Sequence, residues 1–156
     1  MTDTAERQLR AYVVLEDGDM EHVSHPVQLP AAKLTVRNTG ETPANDLIIH
    51  ANIALADYPL TDELPPVTPA PYPGRSVLGR NSILTIPQTL GAPLTKGELA
   101  GMRFGQLAIY VYGHLTYVDV FGHKWTTHFR LMHRPAGGRI GSDTSFIVCD
   151  EGNQAE

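Results

Sequence analysis

The spacing of proline and glycine constrains this chain more than any other feature of its sequence. Twelve prolines and fourteen glycines interrupt 156 residues, which argues against long helices. Short runs of β-branched, aromatic and other apolar residues lie between these breaks, as is typical of strands joined by turns. We therefore predict an all-β fold. About seven or eight strands favour an antiparallel, immunoglobulin-like β-sandwich with one short helix.

The segment 106–120 provides the clearest strand prediction. Its residues alternate between two faces, and both faces are rich in apolar and aromatic side chains. A strand that is apolar on both faces is covered on both sides, so we expect it to be central in its sheet. A tight turn at 121–123 follows, and 124–133 is expected to return as the partner strand.

Weaker patterns complete the predicted sandwich. Thr95 and Glu98 match a capping box, which predicts a short helix through about Met102. Asp17-Gly18 lies between apolar segments and predicts a hairpin turn, because both turn positions need positive φ. Pro87 is expected to end the strand before it. Further strands are expected at 11–15, 20–23, 33–38, 46–55, 76–86 and 144–149.

Length and composition predict one domain. We expect a lead-in helix or arm at 1–10, a single β-sandwich domain at 11–149 and an acidic tail at 150–156. No apolar run reaches the about 18 residues that a membrane helix needs. The polar start of the chain is also unlike a signal peptide. We therefore expect no membrane insertion by this chain. The sequence does not assign the protein to a cellular compartment.

Charge and cysteine content exclude several classes of function. The formal net charge is −5, so a general nucleic-acid surface is not expected. The single cysteine, Cys149, excludes an intrachain disulfide framework and a Cys-based zinc site. A buried structural cysteine is the preferred interpretation, with a thiol nucleophile as the alternative. No G-x-S-x-G pattern supports a hydrolase, so that function ranks last.

Polar residues at two predicted turns are interpreted as structural. Asn38, Thr39 and Thr42 are expected to satisfy backbone groups in their turn, while Gly40 supplies a positive φ. Asp119 precedes the turn at 121–123, where Gly122 lies. Its carboxylate is expected to accept backbone N–H groups there and to fix the turn.

Two motifs together resemble a family of uncharacterised bacterial proteins. One is Asn-Thr-Gly-Glu-Thr-Pro-Ala at 38–44, and the other is the Tyr-x-Asp-x-Phe-Gly pattern at 117–122. The resemblance covers most of 9–153 and implies a β-sandwich, often behind an N-terminal membrane helix, with no activity to transfer. Many members carry a cysteine where this chain has Arg130, so the resemblance implies no disulfide for Cys149.

The leading functional hypothesis is a non-catalytic binding or assembly domain without a cofactor. Its contact surface would be a sheet edge or the Pro-rich loop at 57–75, which holds Tyr58, Tyr72 and Arg75, residue types favoured in interfaces. The partner would be another protein or a second copy of the chain. A surface crossover between the sheets is the competing interpretation of this loop.

The alternative hypothesis is a metal-binding protein or metal-dependent enzyme. The chain has seven histidines. His114 and His128 fall on facing strands of the last hairpin, where diagonal neighbours lie about 7–8 Å apart. This pair, with Asp119 or a water, would bind zinc or copper. Histidines that are only solvated or lie at the edge of the core are the competing interpretation.

Overall fold

The fold is an antiparallel β-sandwich of two sheets packed together. The computed structural model describes residues 2–67, 75–134, 146–148 and 154–155. The elements are α1 (Thr2–Leu9), β1 (Val13–Glu21), β2 (Ala31–Asn38), β3 (Ala44–Asp57), β4 (Ser76–Leu78), β5 (Ile83–Thr89), α2 (Lys96–Arg103), β6 (Leu107–Val118), β7 (Lys124–His133), β8 (Ile147–Val148) and β9 (Gln154–Ala155).

The two sheets differ in size. The small sheet has the order β1-β2-β5, and the large sheet has the order β4-β3-β6-β7-β8, with β9 also pairing with β7. Every pairing is antiparallel. The predicted all-β sandwich is thus confirmed, and its immunoglobulin-like layout stays a prediction. Neither helix in the described ranges is long and apolar enough to span a bilayer.

The core lies between the facing sides of the two sheets. Leu34 and Val36 of β2 and Ile109, Val111 and Leu115 of β6 are fully buried there. They belong to two apolar clusters along the sandwich, one of which also contains Met20 and Met102 and the other Leu47 and Tyr117. Alternation along each strand sends every second side chain into this layer, which is the pattern that predicted these strands.

Strong local patterns predicted their elements correctly. β6 lies between β3 and β7, as expected for a central strand. The capping box before α2 is complete: Glu98 N–H donates to Thr95 Oγ1 at 3.1 Å, and Thr95 N–H donates to Glu98 Oε1 at 2.9 Å. The chain also begins with the expected lead-in helix, α1.

The hairpin predicted at Asp17-Gly18 is wrong. These residues lie inside β1, which pairs with β2 along its length and has a bulge at Glu16. Gly18 is buried beside Leu34, so its lack of a side chain serves packing instead of a turn. Two carboxylates of β1 pair with β2: Glu16 with Arg37 and Glu21 with Lys33, both at 2.9 Å.

The single strand predicted at 76–86 is also wrong. Its residues form β4 in the large sheet and β5 in the small sheet, and the chain changes sheets at 79–82. Pro87 does not end a strand but lies within β5, opposite Lys33. Proline is tolerated there because β5 is outermost in its sheet and one side of it forms no ladder. β9 falls within the segment expected to be an acidic tail.

The side-chain amide of Asn38 joins three segments at one end of the sandwich. Its oxygen accepts the N–H groups of Tyr12 (3.1 Å) and Gly40 (2.9 Å). Its nitrogen donates to the carbonyls of Thr42 (2.8 Å) and Leu78 (3.0 Å). Asn38 is fully buried, and its bonds to Gly40 and Leu78 are buried with it, while those to Tyr12 and Thr42 are partly buried. Asn38 thus bonds backbone groups within this turn, whereas the hydroxyls of Thr39 and Thr42 donate to the carbonyls of Tyr12 and Leu9 outside it.

Gly40 serves this turn differently from expectation. Its φ is not positive, since the positive-φ glycines of the described ranges are Gly105, Gly113 and Gly122. Instead, a Cβ at position 40 would lie 2.3 Å from the carbonyl oxygen of Arg10 and 2.6 Å from the nitrogen of Tyr12. The glycine is required because two backbone segments touch here.

The N-terminal end of β1 is fastened to β6. The hydroxyl of Tyr117 accepts the N–H of Val13 and donates to the carbonyl of Ala11, both at 3.4 Å. One buried hydroxyl on Tyr117 thus bonds two backbone groups that precede it by more than a hundred residues. Tyr117 has an apolar body that packs in the core and a polar tip that satisfies backbone groups.

Replacing Asn38 with Ala is expected to lower the free energy of unfolding by about 3 kcal/mol or more, because four backbone groups lose their partner, two of them in buried hydrogen bonds. Urea denaturation followed by circular dichroism measures this loss. Thr39→Ala is the control: it removes one exposed side-chain hydrogen bond of 3.3 Å and keeps the backbone bond to Tyr12. Equal losses in the two variants would contradict the role assigned to the amide.

Candidate functional site

Three histidines stand side by side on the outer face of the large sheet. His50 of β3 lies directly opposite His114 of β6, and His114 lies directly opposite His128 of β7. The ring centroids are 4.9 Å apart for the first pair and 5.7 Å for the second. All three side chains are partly exposed. We call His50, His114 and His128 the histidine row.

A glycine next to the row sets the spacing of its strands. Gly113 has a φ of +156°, and a Cβ there would lie 1.9 Å from the carbonyl oxygen of His50. Any side chain at this position would therefore push β3 away from β6. The glycine permits the close approach that brings His50 beside His114.

The middle histidine of the row, His114, has a lowered pKa. Burial lowers the pKa of His114, and the neighbouring His50 and His128 lower it further, because a second positive charge beside the first is unfavourable. His114 is the middle member and has a histidine on each side. The ring of His114 is consequently held in its neutral form at neutral pH.

The Pro-rich loop covers the other half of this outer face. Its described part packs Tyr58, Leu60, Leu64 and Val67 against a cluster on β3 and β6. The hydroxyls of two tyrosines on β6 anchor it: Tyr110 donates to the carbonyl of Asp57 at 3.0 Å, and Tyr112 donates to that of Pro65 at 2.5 Å. At Val67, the described part of the loop comes close to His114 and His128 of the histidine row.

A shallow groove of about 230 Å³ lies between Val67 of the loop and the histidine row. Its lining includes Val67 of the loop, Tyr112 and His114 of β6, and His128 and Arg130 of β7. The phenol of Tyr112 also accepts a hydrogen bond from the amide of Asn52 at 3.2 Å. The groove therefore gives solvent access to imidazole rings on a face that is otherwise partly covered.

Two of the predicted contact residues of the Pro-rich loop, Tyr58 and Arg75, lie within the described ranges. Tyr58 is half-buried, and the guanidinium of Arg134 stacks on its ring at 3.9 Å. Arg75 is exposed immediately before β4. Tyr72 lies outside the described residues. Tyr58 is thus part of the cover of the sheet, as the surface-crossover interpretation would have it.

The predicted histidine pair lies closer than expected. His114 and His128 are directly opposite, not diagonal. Sequence analysis missed His50, although its position on the outer face of the strand predicted at 46–55 was a usable signal. Within the ranges that the structure describes, no three His, Cys, Asp or Glu side chains converge on one metal position.

Asp119 is not the additional ligand that was proposed for that pair. Its Oδ1 accepts the N–H groups of Phe121 (2.9 Å) and His123 (3.0 Å), and its Oδ2 accepts the indole N–H of Trp125 (2.7 Å). These bonds fix the turn in which Gly122 has a φ of +85°. The structural role predicted for Asp119 and Gly122 is therefore confirmed.

The charge of Asp119 is held by these bonds. Burial raises the pKa of this carboxyl, but hydrogen bonds from Trp125, His123 and Phe121 outweigh burial and hold the pKa below its usual value of 3.8. The α1 helix docks beside it, since Arg10 stacks on the Trp125 ring at 3.8 Å and Glu6 faces His123 at 3.6 Å. The carboxylate thus supports both the turn and the helix contact.

Comparisons with known proteins do not assign this site. No protein-family model, curated protein or solved structure matches the chain. The function is therefore argued from the residues themselves.

Replacing Asp119 with Asn is expected to destabilise the fold at about pH 7, because an amide nitrogen would face the indole N–H of Trp125. The stability that the charged carboxylate contributes is present above its unfolded pKa and is lost as pH falls through the lower folded pKa. The difference in free energy of unfolding between wild type and variant should therefore shrink below about pH 4.

Urea denaturation across this pH range checks the expectation, with the exposed Asp62→Asn as control. A stability difference for Asp119→Asn that stays constant from about pH 7 to about pH 3 would contradict the assigned role of the charge.

Replacing Gly113 with Ala is expected to cost about 2 kcal/mol or more of unfolding free energy, because the new methyl group meets the β3 backbone. Gly91→Ala is the matched control, since a Cβ at Gly91 has nothing within 4 Å. Thermal unfolding of both variants measures the contrast. Similar melting temperatures of the two variants would show that β3 can move away from β6 without loss of stability.

Proposed function

We propose that this β-sandwich is a non-catalytic binding or assembly domain that contacts a protein through a sheet edge. The supporting observation is the corner at which β4 of the large sheet leads into β5 of the small sheet. Both strands are outermost in their sheets. Val77 is 66% exposed and Ile83 is 52% exposed on either side of the turn between them. We call Arg75, Val77 and Ile83 the edge corner.

The edge corner has the chemistry of a contact surface. An outermost strand carries backbone N–H and C=O groups on one side that another chain can pair with. Exposed apolar side chains next to such an edge add area that is removed from water on binding. Arg75 adds a residue type that is enriched in interfaces. The partner would be an extended segment of another protein or of a second copy.

The other outermost strand of the small sheet is less suited to this role. β1 has a bulge at Glu16 and presents exposed carboxylates at Asp17 and Asp19. Bulges and charges of this kind discourage strand addition. On β5, Pro87 removes one backbone donor, which limits an added strand to the beginning of β5. These features favour the corner over the remaining lengths of edge.

The Pro-rich loop contributes to this proposal only through its end. Its first part is occupied with covering the outer face of the large sheet. Arg75 is exposed and adjoins β4. The proposal therefore rests on the edge corner rather than on Tyr58.

Site-specific photocrosslinking tests the edge corner. A photoreactive phenylalanine analogue replaces Val77 in cells of the source organism, and in a control strain it replaces Val27, which is 76% exposed on the loop between β1 and β2. We expect a discrete crosslinked species at position 77 and none at position 27. Mass spectrometry of that species would distinguish a second copy from another protein.

A second variant checks that the crosslink reports a specific contact. Arg75→Glu reverses a charge beside the edge and should reduce the yield of the crosslink at position 77, while the fold remains intact by circular dichroism. Crosslinking that is equal at positions 77 and 27, or absent from both, would overturn the proposal.

A further inference from the structure

We propose that the histidine row binds one divalent transition-metal ion, with His114 as the shared ligand and either His50 or His128 as the second. The row offers two overlapping pairs of imidazoles on adjacent strands. This inference concerns a different surface from the edge corner and is independent of the proposed binding function.

The spacing within each pair suits two bonds to one ion. Imidazole nitrogens bind zinc at about 2.0–2.1 Å, so two nitrogens on one ion lie about 3 Å apart. The ring centroids are 4.9 Å apart for His50 and His114, with an angle of 33° between the rings. The corresponding values for His114 and His128 are 5.7 Å and 45°. Small rotations of the rings bring one nitrogen of each to the required separation.

All three histidines do not act on one ion together. They stand in a line across three adjacent strands. The outer two are therefore separated by twice the spacing between neighbouring strands. The finding that no three such ligands converge in the described ranges agrees with this geometry. An ion on two imidazoles keeps water in its other positions, which the groove beside His114 and His128 can supply.

The donor set selects the class of ion. Neutral imidazole suits copper, nickel and zinc, whereas magnesium and calcium prefer oxygen ligands. Copper(II) should bind most tightly among them according to the usual order of divalent affinities. Arg130 lines the same groove and carries a positive charge, which opposes a bound cation and limits the affinity.

Another close histidine pair provides a control within the same chain. His22 and His25 have ring centroids 5.8 Å apart on the loop after β1. The Nδ1 of His25 already accepts the N–H groups of Val27 and Gln28 at 3.1 and 2.8 Å. That nitrogen is consequently occupied. Removing His22 should leave the binding of the ion unchanged.

The test is titration of the untagged full chain with copper(II), followed by calorimetry and electron paramagnetic resonance. We expect one ion for each chain and a spectrum of nitrogen ligation. His114→Ala should weaken binding by about tenfold or more, because the second imidazole no longer acts from within the same molecule. His50→Ala and His128→Ala should each weaken it only by about twofold, since one pair remains.

Two further variants keep the result decisive. The double replacement His50→Ala and His128→Ala removes both pairs without touching the middle strand, and it should match the loss expected for His114→Ala. His22→Asn serves as the control, because asparagine tolerates the positive φ of 59° at that position. Magnesium should give no binding heat.

Three results would overturn the proposal: no copper binding by the wild-type chain, unchanged affinity in the double variant, or an equal loss in His22→Asn. Unchanged affinity would place the ion at a different group. Circular dichroism checks the fold of each variant. If His114→Ala does not fold, the copper affinity of the double variant tests the proposal in its place.

Discussion

The buried amide of Asn38 is the interaction on which the relative placement of the two sheets depends. It binds Tyr12 at the start of β1 and Leu78 at the end of β4, which belong to different sheets. Only an amide has both two donor hydrogens and an acceptor oxygen for this set of partners. Asp119 has a comparable role near α1, where a carboxylate accepts donors from one turn and one indole ring. Asn38 and Asp119 are tolerated in buried positions because their side-chain oxygens and nitrogen are hydrogen-bonded.

Local patterns predicted the elements that depend on local forces. The capping box of α2, the two-faced apolar pattern of β6 and the turn at 121–123 involve neighbours in sequence, and the structure has all of them. Asp17-Gly18 misled because pairing with β2 outweighs the preference of two residues for a turn. The change of sheet between β4 and β5 also depends on distant partners. One apolar stretch carries no information about which sheet each half joins.

The candidate site likewise has one part that local sequence predicts and another part that depends on distant pairing. His114 and His128 could be paired from sequence because a short turn fixes the register of a hairpin. His50 joins them through the non-local pairing of β3 with β6, whose register shifts between Asn45 and Ile48. The described part of the Pro-rich loop also depends on distant contacts. The ring of Tyr58 is half-buried and packs with its neighbours on the large sheet, which the composition of the loop alone does not reveal.

The bond between Tyr117 and the start of β1 has a consequence for synthesis of the chain. Ala11 and Val13 leave the ribosome more than a hundred residues before Tyr117, so the first strand must wait for most of the domain. At about 5–20 residues per second, this wait lasts several seconds or more. During it, the apolar residues of β1 and β2 lack the central strand β6 of the opposite sheet. A domain with so many long-range contacts closes late, and its early strands are the segments that chaperones would meet first.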